Sequence, residues 1–287
     1  MDAVTLAILK GRLEQIADEM DATLFRSAFN PIIAEAHDAS HGIYDGQTGE
    51  TLIQGKSGLP IFVGVMAFAV KAVIKKVSSG DDLKEGDVYI FNDPYDGGTH
   101  LSDFRLVKPI FRNNAVFCYI ASVGHWHDVG GNVPGNYNPE ATECFQEGML
   151  IPQVKLFSAG ILNTDIVDIL SSNSRLPKSL YGDMNGQINA LDLGKQRLND
   201  LLDHYGADNI KKALSLLKIR AERMMRDHLS ALPNGTILVE DFLDNDGVND
   251  VALKLAVDMT IKDEKLVEYQ NKFLKRVEQY YSIIYKN

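Results

Sequence analysis

The sequence contains little cysteine and no long apolar run, and each shortage excludes a class of protein. Two cysteines, Cys118 and Cys144, are too few for a disulfide framework and are not spaced as a redox pair. The longest apolar stretch, residues 59–70, is broken by Pro60 and Gly64 and falls short of the roughly 20 residues that cross a bilayer. The first residues alternate apolar and charged side chains, so no secretory signal is predicted. We therefore expect a cytoplasmic protein with no membrane association.

Positive charge is also scarce. The chain has 29 Lys and Arg residues against 39 Asp and Glu, which gives a formal net charge of −10 over 287 residues. Nucleic-acid-binding domains normally present a basic surface, so this balance argues against a nucleic-acid partner. The composition, 45% hydrophobic and 24% charged, is that of a globular protein, and the negative net charge fits one that binds small molecules or basic partners.

A phosphate-binding loop is missing as well. The segment Gly49–Ser57 resembles one, but its two glycines are separated by one residue too many. The residues that follow, 58–60, include a glycine and a proline where a helix should begin and direct its N-terminus at a phosphate. We interpret the segment as the edge of a β-hairpin and predict that ATP does not bind this chain.

Helical and strand patterns follow one another without regular alternation. Apolar residues at helical spacing predict helices over 2–29, 65–76, 180–204 and 208–229, and in the tail 268–287. Apolar runs bounded by turn residues predict strands near 40–44, 51–54, 88–91, 104–111, 116–122, 236–243 and 251–260. This order predicts an α+β fold with mixed β-sheet layers and long helices. We expect a metal-binding α+β domain over residues 1–160, a helical hairpin over 161–231, and a small β segment with a helical tail over 232–287.

Histidine and aspartate are concentrated in three short segments. Five of the seven histidines lie there: two flank Asp38, one precedes Asp103 by three residues, and two precede Asp128. Imidazole and carboxylate groups bind Zn²⁺, Mn²⁺ and Fe²⁺, and these segments lie at the predicted ends of strands. The alternative is that the aspartates cap turns and the histidines form ordinary surface hydrogen bonds. Spacing alone does not decide between the two interpretations.

A set of motifs rich in Gly, Asp and His occurs in a fixed order along residues 4–266. They are NDPY at 92–95, GGTHLSD at 97–103, GH at 124–125, DVGG at 128–131 and PG at 134–135, with later matches at 147–156 and 232–236. This series resembles the hydantoinase B family, which includes subunits of hydantoinases, part of 5-oxoprolinase and the large subunits of ketone carboxylases.

The resemblance implies a metal centre with one Zn²⁺, Mn²⁺ or Fe²⁺ ion. The ligands it implies are Asp38, His100, Asp103 and His125. The groups that would support these ligands or transfer protons are His127, Asp128 and Asp93. The glycines of the implied substrate loops are Gly97, Gly98, Gly130 and Gly131.

The resemblance also implies a B-type subunit of an ATP-dependent cyclic-amide hydrolase, acting on a hydantoin, 5-oxoproline or a lactam. A separate A-type subunit would bind ATP and phosphorylate the substrate oxygen, which turns a poor leaving group into a good one. We therefore expect a hetero-oligomer with ATP on the partner subunit, in agreement with the missing phosphate loop.

Two departures from the family pattern leave alternatives open. Phe62 stands where family members usually carry a second histidine, a feature more typical of ketone carboxylases of the acetone or acetophenone type. The chain is also about half as long as family B chains, so the second half of the pattern is missing. The alternatives are therefore a ketone carboxylase subunit and a truncated, non-catalytic structural subunit.

Overall fold

The computed structural model describes residues 1–245 and 249–271, which form an α+β fold as predicted. The helices are α1 (Ala3–Ser27), α2 (Pro31–Ala34), α3 (Ile61–Ser78), α4 (Thr164–Ser172), α5 (Pro177–Tyr205) and α6 (Ala207–Ser230). The strands are β1 (Ala39–Asp45), β2 (Thr51–Gln54), β3 (Val88–Phe91), β4 (Asp103–Arg112), β5 (Ala115–His125), β6 (Val154–Ser158), β7 (Ile161–Leu162), β8 (Gly235–Leu243), β9 (Leu253–Lys262) and β10 (Lys265–Asn271).

The chain divides into two compact units. The first comprises Met1–Asn138 and Glu143–Leu214, and the second comprises Pro139–Thr142 and Ser215–Asn287. The division therefore falls inside α6, which differs from the expected boundaries at 160 and 231. The reason is that α5, expected to pair with α6, packs instead along α1 and against β4 and β5, within the first unit.

A seven-stranded sheet forms the centre of the first unit. Its strand order is β2-β1-β5-β4-β3-β6-β7, and all the pairings described are antiparallel. Alternate residues of β5 face opposite sides, as strand geometry requires. Tyr119, Ala121 and Val123 belong to the core that packs against α3, whereas Ser122 hydrogen-bonds to Gln187 of α5 on the other side. The sheet thus lies between α3 and the pair α1 and α5.

Both helical layers bury apolar side chains. Phe62, at the start of α3, is 2% exposed and lies in the α3 core, so the residue at the family's histidine position is a packing residue here. On the other side, Gly194 of α5 faces Met20 of α1 so closely that a Cβ would come within 2.5 Å of the Met20 Sδ. A glycine at this position therefore permits the close approach of α1 and α5.

The second unit contains an antiparallel sheet with the order β10-β9-β8. The predicted strands at 236–243 and 251–260 correspond to β8 and β9. The predicted tail helix from Glu268 is wrong for residues 268–271, which belong to β10 and pair with β9, after a register shift between Leu266 and Glu268, up to the pair Asn271 and Val257. The chain turns back at Asp263, whose φ of 56° suits a tight hairpin turn, and this extends the ladder. Residues 272–287, with the remainder of the predicted helix, lie outside the described residues.

Within residues 1–245 and 249–271, we find no helix that is both long and apolar enough to span a membrane.

Candidate metal centre

Three neighbouring strands bring the predicted ligands to one end of the large sheet. Asp103 begins β4 and lies directly opposite His125, the last residue of β5. Asp38 immediately precedes β1, and its carbonyl oxygen accepts a hydrogen bond of 3.0 Å from the His125 N–H. His100 lies in the turn before β4, where its carbonyl accepts the Asp103 N–H at 3.1 Å. Sheet pairing therefore brings together residues that are more than 80 positions apart in the sequence.

Three of the four side chains converge on one point, and Asp38 lies beside His125. The Nδ1 atom of His125 is 3.6 Å from the Asp103 Oδ1 atom and 3.6 Å from the Asp38 Oδ2 atom. The Nδ1 atom of His100 is 3.6 Å from the Asp103 Oδ2 atom. Candidate ligand atoms of His100, Asp103 and His125 all lie within 4.8 Å of one another. The side chain of His100 is 50% exposed and that of Asp103 only 3%, so the cluster is open to solvent on the His100 side.

Two buried atoms of this cluster make no hydrogen bond. They are the Oδ1 atom of Asp103 and the Nδ1 atom of His125. Their separation of 3.6 Å is longer than a hydrogen bond but suits two ligands of one ion. A buried polar atom without a partner costs about 1–3 kcal/mol, so two side by side need an explanation. A divalent cation would bind both atoms at once, and the residues present therefore fit a metal ion.

The ionisation of the two carboxyl groups differs. Burial raises the pKa of Asp103, but the attraction of His125 and His100, together with Thr99 and Arg105, outweighs it and leaves that pKa lowered. Burial also raises the pKa of Asp38, and the negative charge of Asp103 adds to this effect. The lowered pKa favours the ionised form of Asp103. The raised pKa makes the ionised form of Asp38 less favourable where no cation is bound.

The glycine-containing loop 92–100 leads into the site. The Oδ1 atom of Asp93 accepts the Tyr95 N–H at 2.9 Å, so Asp93 forms a turn and is not part of the ligand cluster. Gly97 has a φ of 87° and packs against the backbone of α3. A Cβ on Gly98 would come within 2.1 Å of the Asp93 carbonyl oxygen, so the loop requires this glycine as well. A substrate role for these residues stays a prediction.

The loop after β5 is organised by Asp128. Its Oδ1 atom accepts the Gly130 N–H and the Arg175 N–H, and its Oδ2 atom accepts the Gly135 N–H and the Arg175 guanidinium. Burial raises the pKa of Asp128, but these four hydrogen bonds outweigh it and leave that pKa lowered. Gly131 has a φ of 84° and lies against the backbone of residues 146–147. Asp128 therefore holds the loop, and its suggested role in proton transfer stays a prediction.

The remaining histidines of the three segments lie outside the cluster. His37 stacks on Phe25 with the ring centroids 4.1 Å apart. His41 is completely buried and hydrogen-bonds to Asp21. His127 is partly buried near Asp183: burial raises the pKa of Asp183, and the attraction of His127 opposes this. Of the first segment, only Asp38 reaches the candidate metal centre.

Sequence reasoning missed two arginines that hold the site together. Arg175 donates hydrogen bonds to Asp128 and to the carbonyl oxygens of Gly130, Gly131 and Val133. Arg105 is 0% exposed and contacts the Asp103 residue. The sequence could have indicated Arg105, because it is a charged residue inside the apolar strand 104–107 and lies two residues after Asp103, on the same face of the strand. It could not have indicated Arg175, since the partners of Arg175 lie more than 40 residues away.

Comparison with known proteins identifies a family and relatives that share this fold. Residues 2–271 match the family model described as hydantoinase B/oxoprolinase. The chain is 36% identical over 245 residues to caprolactamase subunit beta of Pseudomonas jessenii, covering 84% of this chain and 42% of that one. The solved ATP-dependent caprolactamase from Pseudomonas jessenii superposes with a TM-score of 0.83 at 31% identity, over 95% of this chain and 46% of the other.

Nucleotide-free acetone carboxylase superposes with a TM-score of 0.80, over 92% of this chain and 36% of the other. At 19% identity this similarity shows the fold alone. The chain spans less than half the length of these relatives. The match to the family model, however, covers nearly all of the described residues in both units. The chain therefore belongs to the hydantoinase B/oxoprolinase family.

Proposed function

We propose that this chain is the metal-dependent B-type subunit of an ATP-dependent cyclic-amide hydrolase. The observation that carries the proposal is the pair of buried, unpartnered atoms, Asp103 Oδ1 and His125 Nδ1, in the cluster of His100, Asp103 and His125 beside Asp38. Similarity to caprolactamase subunit beta favours a lactam, a hydantoin or 5-oxoproline as the substrate class.

Asp38, His100, Asp103 and His125 would hold one Zn²⁺, Mn²⁺ or Fe²⁺ ion. Bound there, the ion would polarise a carbonyl group or lower the pKa of a water molecule. Two carboxylates balance the charge of a divalent ion, and the exposed side of His100 gives a small molecule access to the cluster. The loops that begin with Asp93 and Asp128 flank the ligands in sequence and are held rigid by their own hydrogen bonds. They would shape the entrance, with His127 available for proton transfer.

ATP would bind to an A-type partner subunit. The segment Gly49–Ser57 contains β2, and α3 begins only at Ile61, so its backbone does not form a phosphate-binding loop. The solved relative is named as an ATP-dependent enzyme, which favours a partner that supplies the nucleotide site. We expect the complex to form a hetero-oligomer in the cytoplasm.

Reconstitution tests this proposal. We expect the chain together with an ATP-binding A-type subunit to open caprolactam, hydantoin or 5-oxoproline with ATP consumption, and the chain alone to show neither ATP binding by calorimetry nor turnover. The readout is product analysis by mass spectrometry, run in parallel with acetone plus bicarbonate. Carboxylation of the ketone without amide hydrolysis would replace the proposal with the carboxylase alternative. Micromolar ATP binding by the isolated chain would contradict the proposal that only the A-type partner subunit binds ATP.

A further inference from the structure

Arg105 is a buried cation beside the candidate metal centre. It lies two residues after Asp103 on β4, on the same face of the strand, and is 0% exposed. Removing a guanidinium from water costs several kcal/mol, which only a carboxylate and well-formed hydrogen bonds offset. Its contacts therefore indicate what the charge does in this position.

Arg105 contacts Asp103 in two ways: directly at the main-chain carbonyl oxygen, and through Thr99 at the Oδ2 atom of the side chain. One guanidinium nitrogen donates to the Asp103 carbonyl oxygen at 2.7 Å. The other donates to the Thr99 hydroxyl and lies 3.9 Å from the Asp103 Oδ2 atom. Because a guanidinium only donates, the Thr99 oxygen accepts from Arg105 and its single proton is free to go to the Asp103 Oδ2 atom, with which it is in contact. The direction of both hydrogen bonds is thus fixed.

This arrangement distinguishes the two oxygens of the same carboxylate. The Oδ2 atom accepts a hydrogen bond from Thr99, with the charge of Arg105 nearby and His100 Nδ1 3.6 Å away. The Oδ1 atom makes no hydrogen bond and points towards His125 Nδ1, 3.6 Å away. The hydrogen bond from Thr99 holds the carboxylate against rotation, and Oδ1 is left without a hydrogen-bond partner and available to a cation.

We propose that Arg105, acting through Thr99, holds the Asp103 carboxylate in the orientation in which it binds the metal ion. Arg105 and Thr99 are positioning residues in this account, and the inference rests on the proposed metal-dependent function. Groups that support metal ligands in this way orient them and tune their affinity.

The test is the Zn²⁺ dissociation constant of the metal-free, folded full chain, measured by competition with a chromophoric chelator. Thr99→Val removes the hydroxyl with little change in volume, and Arg105→Met removes the charge. Each is expected to weaken Zn²⁺ binding by about 10–100-fold, the usual effect of losing a supporting group. Thr99→Ser keeps the hydroxyl and is expected to restore wild-type affinity. A merely structural role would lower thermal stability without changing the dissociation constant.

Lys108→Met is the matched control. Lys108 is another largely buried cation on β4, and it pairs with Asp192 on the opposite face of the strand. This variant is expected to bind Zn²⁺ as the wild type does. If Arg105→Met fails to fold, Thr99→Val decides. If the wild-type chain binds Zn²⁺ and Thr99→Val binds it with the same dissociation constant, this inference alone is overturned. If the wild-type chain binds none of Zn²⁺, Mn²⁺ and Fe²⁺, the proposed function is overturned as well.

Discussion

Replacing His125 with alanine is expected to abolish tight metal binding while the protein stays folded. His125 Nδ1 lies 3.6 Å from carboxylate oxygens of both Asp38 and Asp103, so it is the side chain that links the two acidic ligands. Loss of a direct ligand exceeds the 10–100-fold effect of losing a supporting group, so we expect affinity to fall by more than about 100-fold. The measurement is competition with a chelator, with elemental analysis of the purified variant.

His127→Ala provides the control for this variant. It removes an imidazole from the same segment, but His127 lies outside the cluster formed by His100, Asp103 and His125. Metal content should therefore match the wild type. Circular dichroism and thermal unfolding of both variants establish that they are folded. If His125→Ala binds metal as tightly as His127→Ala and the wild type do, His125 is not a ligand.

Of the substitutions proposed for this protein, His41→Leu is expected to lower the free energy of unfolding the most. His41 is completely buried, with Nδ1 2.8 Å from the Asp21 Oδ1 atom and Nε2 2.9 Å from the Ser122 hydroxyl. Gln187 of α5 donates to the same Ser122 hydroxyl on β5. Together with the contact between His41 on β1 and Asp21 on α1, these hydrogen bonds connect four elements. Leucine would leave the buried Asp21 carboxylate without its imidazole partner. Leaving a buried hydrogen-bonding group without its partner costs about 1–3 kcal/mol, and more if the group is charged, and urea denaturation measures the loss.

An exposed pair on the same helix calibrates this result. Lys10 and Glu14 are 2.8 Å apart on the surface of α1, and such pairs contribute roughly 0–1 kcal/mol. Lys10→Gln should therefore change the free energy of unfolding very little. A loss below about 1 kcal/mol in His41→Leu would mean that the buried network does not stabilise the first unit.

The elements were largely predictable because they depend on local patterns. The predicted strand 88–91 coincides with β3, and the helix predicted over 65–76 lies within α3. The strand order was not predictable, because β1 pairs with β5, about 75 residues later, and no local signal encodes that pairing. The tail shows the limit of periodicity: residues 268–271 are too few and too polar to distinguish a helix from a strand, and pairing with β9 makes them a strand.

The candidate site shows the same distinction. Of the clustered histidines, only His100 and His125 belong to the candidate centre, whereas His37 and His41 use their rings for stacking and core hydrogen bonds. Spacing did not reveal this, because their partners Phe25 and Asp21 lie on α1, at least 12 residues away. The metal-ligand assignment came from family resemblance and stays a prediction. The sheet shows only that adjacent strand ends place Asp38, Asp103 and His125 side by side.

The metal content of the wild-type chain tests the central claim most directly. The protein should be purified without an affinity tag that binds metal, dialysed without chelator and measured by plasma mass spectrometry. Two imidazoles and two carboxylates predict about one Zn, Mn or Fe per chain. The ion should be removed by chelation and restored by stoichiometric addition. A folded protein that contains only background metal and takes up none when the three ions are supplied would contradict the account.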